Sequence, residues 1–337
     1  MKVGIIGCGF VAPDHIKCVR SVADTEIVGV ADIDLKSAQN IAESFNVPKY
    51  FTDTATLLAE TKPDVVHLLT PPQTHTRLAL EVMQAGCHLL LEKPMAPTVA
   101  EADIIVAASK EHNVTLGLCH NFIFVPCVQK AKQLIDQGML GTIVGVDIAW
   151  RPAQRGLEMP WTKELPGGPM HEILPHPAYI QREFVGEMQS LVGVSRRTTD
   201  PQRADCEMGV LLEAELGTTH LDVSPSGAPK QIMLRITGTK MSLNVEISSN
   251  TLIKVRKFGN SLAAKALMNI DQAVQLIIGT MSNAVTLLRG GYSNGHLPLI
   301  QAFYKSLRDG SEVPVSGMDG RQTVAILDAI WDKKPEN

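Results

Sequence analysis

The sequence predicts an α/β doubly wound parallel sheet, followed by an α+β domain built on an antiparallel sheet. Three observations carry this. From residue 1 to about 121, short apolar runs alternate with helix-length amphipathic stretches. A glycine-rich loop follows the first of those runs. After about 140 the apolar period shortens to two.

The first-half strands are Val3–Ile6, Ile27–Ala31, Val65–Leu69, His88–Leu91 and Val114–Leu118. Between them lie helical stretches such as Leu35–Phe45, Thr74–Ala85 and Val99–Glu111. Strand, helix, strand in repetition implies parallel pairing through right-handed crossovers. Asp53 is placed to cap a short helix over Thr54–Glu60, which Lys62–Pro63 closes. Asp34 is placed to cap the helix at Leu35, and Thr98 with Glu101 has capping-box spacing.

A helix over Val125–Gln137 leads into the second half, so the domains divide as 1–122 and 123–337. In Thr142–Trp150, the residues Val144, Val146, Ile148 and Trp150 fall on one face. Similar alternation recurs in Ile232–Ile236, Leu243–Ile247 and Ile253–Val255, with hairpin turns at Thr237–Lys240 and Leu216–Thr218. Strands with little helix between them favour an antiparallel sheet with one covered face. Segment 261–290 and the tail Gly320–Trp331 return to helical spacing.

Composition bounds the function. The chain has 337 residues, 45% hydrophobic and 20% charged, enough for two cores. Net charge is −4 and no long basic run occurs, which argues against nucleic acid or an anionic membrane as partner. No apolar run approaches the roughly 20 residues of a membrane span. The start, MKVGIIGCGF, lacks the apolar helix and cleavage site of a secretory signal. Cys8, Cys18, Cys87, Cys119, Cys127 and Cys206 form no CxxC pair, so reduced thiols in a cytoplasmic setting are expected. No His/Asp/Glu group stands at short ligand spacing, so no metal is expected.

Gly7-Cys8-Gly9-Phe10-Val11-Ala12 has the GxGxxA pattern between a strand and a helix. Gly7 permits a tight turn, Gly9 lets the backbone approach a pyrophosphate, and Ala12 allows close helix–strand packing. The helix N-terminus beyond it offers N–H groups to an anion. The blander reading is a structural glycine turn, but Asp32 at the end of the next strand weighs against it. A carboxylate there accepts hydrogen bonds from ribose hydroxyls and repels a 2′-phosphate. Ile33 supplies no cation to offset that repulsion, so NAD is favoured over NADP.

In open parallel sheets the ligand lies beyond the carboxyl ends of the strands. Thr70-Pro71-Pro72 with His75, Glu92-Lys93-Pro94, and His120-Asn121 all sit at such ends. Lys93 can point toward a nicotinamide; the alternative is a solvated Glu–Lys pair at a loop.

With Gly167-Gly168…His176, these motifs occur in the order seen in the Gfo/Idh/MocA oxidoreductases, which the sequence resembles over nearly its whole length. The resemblance implies a Rossmann domain, then a domain with a large open antiparallel sheet, and a cis Lys93–Pro94 peptide. It implies cofactor contacts at Gly7, Gly9, Phe10, Val11, Ala12, Asp32, Ile33, Thr70, Pro71, Pro72, His75, Glu92, Lys93 and Asn121. It also implies a homodimer or homotetramer through the open sheet.

Family members that oxidise sugars carry an acid and, four residues later, a histidine. Aligned on His176, the acid is Glu172, and i, i+4 spacing puts both on one helical face. Imidazole titrates near neutrality and suits the hydroxyl proton, while Lys93 polarises the same oxygen. Glu172 would orient His176 or bind a second hydroxyl. Pro175 departs from the pattern, because it kinks a helix or confines Glu172 to a first turn. His171 is an extra imidazole, better read as packed, though placed to touch substrate. Arg151 fits a substrate anion or a surface ion pair, and Trp161 lies where the family approaches substrate. Trp150 fits the core equally well. His120 and Asn121 fit substrate or nicotinamide contacts, or turn positions.

The function expected is hydride transfer between NAD and a secondary hydroxyl of a sugar, cyclitol or nucleotide-sugar. One alternative is NAD-dependent glycoside cleavage by transient oxidation. Another is a non-catalytic NAD-sensing regulator, which the retention of Lys93 and His176 disfavours.

Overall fold

The computed structural model describes residues 1–152, 159–197, 207–288 and 294–333. Cys206 and the last two positions of segment 261–290 lie outside them. The chain divides into two compact units, Met1–Asn121 with His296–Asp328, and Phe122–Gly295 with Ala329–Asn337.

The first unit contains strands β1 (Lys2–Ile6), β2 (Glu26–Ala31), β3 (Tyr50–Phe51), β4 (Val65–Leu68), β5 (His88–Leu91) and β6 (Leu116–Leu118). They form one sheet in the order β3-β2-β1-β4-β5-β6, every pair parallel. The strand order reverses beside β1, which creates the crevice where such sheets bind ligands. The two-residue β3 is too short to carry a periodic signal. Helices α1 (Ala12–Arg20), α2 (Leu35–Ser44), α3 (Thr54–Thr61), α4 (His75–Gln84) and α5 (Val99–Glu111) make the crossovers.

The expected caps form. Asp34 accepts from Lys36 and Ser37 N–H, Asp53 from Thr56 N–H at 2.8 Å, and Thr98 from Glu101 N–H at 3.3 Å. The Glu101 carboxylate takes the Thr76 hydroxyl at 3.1 Å. On α1 the buried stripe is Ala12, His15, Ile16 and Val19, so one polar ring stands in an apolar face.

The second unit holds α6 (Pro126–Asp136), β7 (Ile143–Arg151), α7 (Pro169–Ile173), α8 (Pro175–Val185), β8 (Met188–Arg197), β9 (Glu207–Ala214), β10 (Gly217–Val223), β11 (Gln231–Gly238), β12 (Met241–Glu246), β13 (Thr251–Arg256) and α9 (Leu262–Leu288). Its sheet runs β13-β12-β11-β7-β10-β9-β8, with α8 packed on β7 and β10.

The mostly antiparallel second sheet refines one expectation, and one residue corrects another. The sheet is mixed, because β7 and β10 are parallel. The chain between them builds α7, α8 and the outer strands before it returns to β7's side. Val144 does not share the buried face of Val146, Ile148 and Trp150. The pairing with β11 slips between Thr237 and Gly238, opposite Val144, which turns Val144 outward and Ile143 inward.

The C-terminal segment is shared between the two compact units. Helix α10 (His296–Asp309) and the start of α11 (Gly317–Asp332) belong to the first unit. Leu299, Ile300, Phe303 and Tyr304 of α10 are buried, and α10 packs on α1. A Cβ on Gly117 of β6 would lie 2.6 Å from the Phe303 ring, so glycine there admits the helix. Leu118 N–H donates to Val315 O at 3.0 Å, tying the returning chain to the sheet edge. No helical period reveals such a return.

Candidate functional site

A cleft of about 530 Å³ opens at the strand tips of the first unit. It is lined by Gly7, Gly9, Asp32, Ile33, Asp53, Thr70, Pro71, Arg77 and neighbours. Gly7 has φ +97°, and a Cβ there would meet the Leu69 carbonyl at 2.8 Å. Only glycine fits that turn. At Gly9 a Cβ would meet nothing within 4 Å, so the backbone faces open space where a diphosphate would approach. Phe10 is exposed and Ala12 fully buried, as close helix–sheet packing requires.

Asp32 sits on the rim. Its carboxylate accepts from Cys8 N–H at 2.8 Å and from Asp34 N–H at 2.9 Å, which fixes it beside the loop. Ile33 is 94% exposed. Arg77 also lines the cleft, and its guanidinium pairs with Glu81 at 2.7 Å. The site fits an adenosine diphosphate, with an open glycine backbone for the phosphates and a fixed carboxylate for ribose hydroxyls.

His75 sits behind the Thr70-Pro71-Pro72 turn. It is fully buried at the start of α4, with Nε2 2.7 Å from Thr70 O and Nδ1 3.1 Å from Pro94 O. Burial pushes its pKa down, against the pull of those carbonyls. The ring staples the Thr70-Pro71-Pro72 turn to the Lys93–Pro94 turn, whose peptide is cis. Thr70 is further held by the Thr74 hydroxyl at 2.8 Å.

Glu92 is buried, which overturns the reading of a solvated Glu–Lys pair. Its Oε1 accepts from His15 Nε2 at 3.1 Å, and its Oε2 accepts from the Lys93 N–H at 3.1 Å. The contacts continue through His15 Nδ1 to His67 Nδ1 at 2.9 Å, and from His67 Nε2 to the Tyr304 hydroxyl at 3.0 Å. Burial would raise the Glu92 pKa. The His15 hydrogen bond and the charges of His15, His296 and Lys93 together outweigh it, and hold the carboxyl well below its usual range. Burial and the nearby His15 push His67 well down, so it stays neutral.

Sequence reasoning missed His15, His67, Cys119, His296 and Tyr304. They come from α1, β4, β6 and α10, far apart in the chain. The signal available was His15 inside the apolar stripe of α1. His120 and Asn121 follow β6 and are buried, with the Asn121 amide 3.5 Å from His296 Nδ1.

The second unit places His176 in the first turn of α8. Its ring stacks on Trp150 of β7, with centroids 5.3 Å apart and planes at 12°, and Phe122 meets it edge-on. Nδ1 lies 2.8 Å from the Tyr179 hydroxyl, whose oxygen also accepts from Phe122 N–H at 3.3 Å. Pro175 occupies the first position of α8, so the helix breaks at Leu174. Glu172 therefore belongs to the five-residue α7, and the expected single face for Glu172 and His176 is two short helices in succession.

His171 is fully buried, and its Nδ1 accepts from the Trp331 indole N–H at 2.9 Å. Arg151 pairs with Asp222 at 2.7 Å, the ion-pair reading. Trp161 lies on a 3₁₀ turn, Pro160–Glu164, partly exposed. Among the described residues, no helix is long and apolar enough to cross a membrane.

Comparison with known proteins adds to this geometry. The family model for the oxidoreductase family with an NAD-binding Rossmann fold matches residues 1–120. The model for that family's C-terminal alpha/beta domain matches 132–337. D-apiose dehydrogenase of Paraburkholderia graminis is 24% identical over 339 residues, 98% of this chain and 86% of that protein. Levoglucosan dehydrogenase of Pseudarthrobacter phenanthrenivorans is 23% identical over 373 residues, 98% of this chain and 95% of that protein. The WlbA dehydrogenase of Bordetella pertussis, solved with NADH and UDP-GlcNAcA, superposes with a TM-score of 0.81 at 22% identity. That match covers 98% of this chain and 94% of the other.

Proposed function

From the premise that this chain belongs to the oxidoreductase family with an NAD-binding Rossmann fold, we propose that it is an NAD-dependent dehydrogenase of a secondary hydroxyl on a sugar, cyclitol or nucleotide-sugar. The observation that carries this reading is the cleft in which Gly9, Asp32, Thr70 and Pro71 line one cavity at the strand tips. Relatives named for D-apiose and levoglucosan support the sugar class.

When bound, NAD supplies the hydride acceptor. Gly9 admits the diphosphate and Asp32 takes the ribose hydroxyls. Asp32 with its cation-free neighbour Ile33 favours NAD over NADP, since Arg77 is already paired with Glu81. His176 takes the hydroxyl proton. The Phe122 N–H can only donate, so it occupies one lone pair of the Tyr179 oxygen. If His176 Nδ1–H donates to the other lone pair, Nε2 carries the lone pair a general base needs. The Trp150 face then stabilises the imidazolium that forms. Lys93 places an ammonium on the substrate oxygen, and Glu172 binds a neighbouring hydroxyl. Glu92 and His75 hold the Lys93–Pro94 turn from beneath, and the Asn121 amide serves substrate or nicotinamide.

The protein acts as a homo-oligomer. No residue of α9 is buried, and it exposes Leu267, Ile270, Ile277, Ile278 and Met281. A second copy is the cover such a helix calls for. The five described free thiols fit a reducing, cytoplasmic setting.

Incubation with NAD and a panel of sugars, cyclitols and nucleotide-sugars tests the reading by absorbance of the reduced nicotinamide. Reduction with at least one of them is expected. A silent panel, with NAD binding intact, would refute the substrate class.

A further inference from the structure

We propose that the first unit carries a closed, four-ligand zinc site formed by His15, Glu92, Cys119 and His296. One donor atom from each lies within 4.8 Å of all the others. His15 Nε2 is 3.1 Å from Glu92 Oε1 and 3.8 Å from Cys119 Sγ, and His296 Nε2 is 3.9 Å from Glu92 Oε1. Bond lengths of about 2.0–2.3 Å give a zinc tetrahedron edges of roughly 3.3–3.8 Å. The measured separations bracket that range, so small side-chain adjustments complete the centre.

The donors come from four places in the fold: α1, the tip of β5, the end of β6 and the start of α10. All four residues are buried. A carboxylate, two imidazoles and a thiol gathered out of water cost stability unless something pairs them. Pairwise hydrogen bonds need two partners at a time. Two imidazoles, a carboxylate and a thiolate converging on one point are a donor set that zinc, a borderline ion, accepts.

Behind the site stands the outer shell that metal-bound histidines use. His15 Nδ1 faces His67 Nδ1 at 2.9 Å, and His67 Nε2 faces the Tyr304 hydroxyl at 3.0 Å. With Nε2 on zinc, His15 Nδ1–H donates to His67, and His67 Nε2–H donates to the Tyr304 oxygen, which fixes both tautomers. On coordination the Cys119 thiol gives its proton to solvent, and no redox change occurs. With four protein ligands the centre is structural, and leaves no open position for substrate. Zinc would clamp the returning helix α10 to the sheet and hold Glu92, and through it the Lys93 peptide. The proposal is independent of the dehydrogenase reading, since its readouts need neither NAD nor a sugar.

The test uses the full chain, expressed with added zinc and purified without a histidine tag. About one zinc per chain by mass spectrometry is expected, retained through dialysis. Adding zinc to chelator-stripped protein raises the melting temperature by several degrees. Cobalt(II) in place of zinc gives tetrahedral ligand-field bands and a sulfur-to-cobalt charge-transfer band in the near ultraviolet. Cys119→Ser abolishes the charge-transfer band, and His296→Asn lowers cobalt affinity at least tenfold. Should either variant fail to fold, the wild-type cobalt spectrum and zinc content still decide. Less than a tenth of a zinc per chain, with no charge-transfer band in folded wild-type protein, overturns the proposal. So does a band that survives in Cys119→Ser.

Discussion

Two polar regions share the strand tips of the first unit, and they are built in opposite ways. The cleft above Gly9 and Asp32 is open, and its shape comes from backbone: a glycine forced to φ +97°, a second glycine with nothing over its Cα, and one fixed carboxylate. The cluster below Glu92 is closed, and its shape comes from side chains handed in by elements up to 281 residues apart, from His15 to His296. The difference teaches that an exchangeable ligand needs exposed backbone in one contiguous loop. A permanent polar centre can be assembled from anywhere in the chain.

The comparison is most sharply tested at Lys93, whose peptide N–H belongs to the closed side through Glu92. Its side chain is assigned to the chemistry. Lys93→Met is expected to lower kcat by about 10³-fold, within the span of acid–base effects. NAD affinity changes little, read by steady-state kinetics beside a binding titration. A loss confined to NAD binding would move Lys93 from chemistry to cofactor.

His176→Gln carries the test into the second unit. A loss of about 10²-fold in kcat is expected, together with loss of the acidic limb of the pH–rate profile. An unchanged limb would remove His176 as base.

The two glycines separate shape from ligand. Gly9→Val adds a side chain that meets no protein atom within 4 Å at its Cβ, so the melting temperature should hold. NAD affinity should fall at least about tenfold, or ~1.4 kcal/mol. Gly7→Ala forces a Cβ to 2.8 Å from the Leu69 backbone, so it should unfold at lower temperature whether or not NAD is present. Equal melting behaviour of the two variants would break the distinction.

The closed cluster predicts a pH dependence that the open cleft does not. Burial pushes His296 down to about 4, from an ordinary value of 6.5. Between these values the unfolded chain binds the proton and the folded one does not. Stability is therefore full above 6.5 and lost as pH falls toward 4, by at most about 1.4 kcal/mol per pH unit. Urea unfolding of chelator-treated protein at pH 7, 6 and 5 reads this slope, which His296→Asn should flatten. The smallest effect lies outside both regions. Thr98→Ala removes the cap of α5 and should cost about 1 kcal/mol in the same assay, with no pH dependence.

The same contrast explains what was legible in the sequence. The parallel sheet, the glycine loop, Asp32 and three helix caps could be read because each rests on neighbours a few residues apart. Their physics is local: a turn angle, a cap, a period. The bulge at Val144 and the parallel β7–β10 pair depend on partner strands that the alternation of one segment does not name. The return of α10 to the first unit depends on a fit between Phe303 and Gly117. Pro175 was legible as a helix breaker, and the structure makes it the start of a new helix. His75 and Glu92 were found for the right stretch, but their burial was not visible, because a motif gives position and not surroundings.

The central claim is hydride transfer from a carbon that bears a secondary hydroxyl. It is met most directly by supplying carbon-deuterated sugars with NAD and weighing the nicotinamide by mass spectrometry. A gain of one deuterium in the reduced cofactor is predicted. Reduced cofactor without deuterium, or none formed across the sugars, would contradict it.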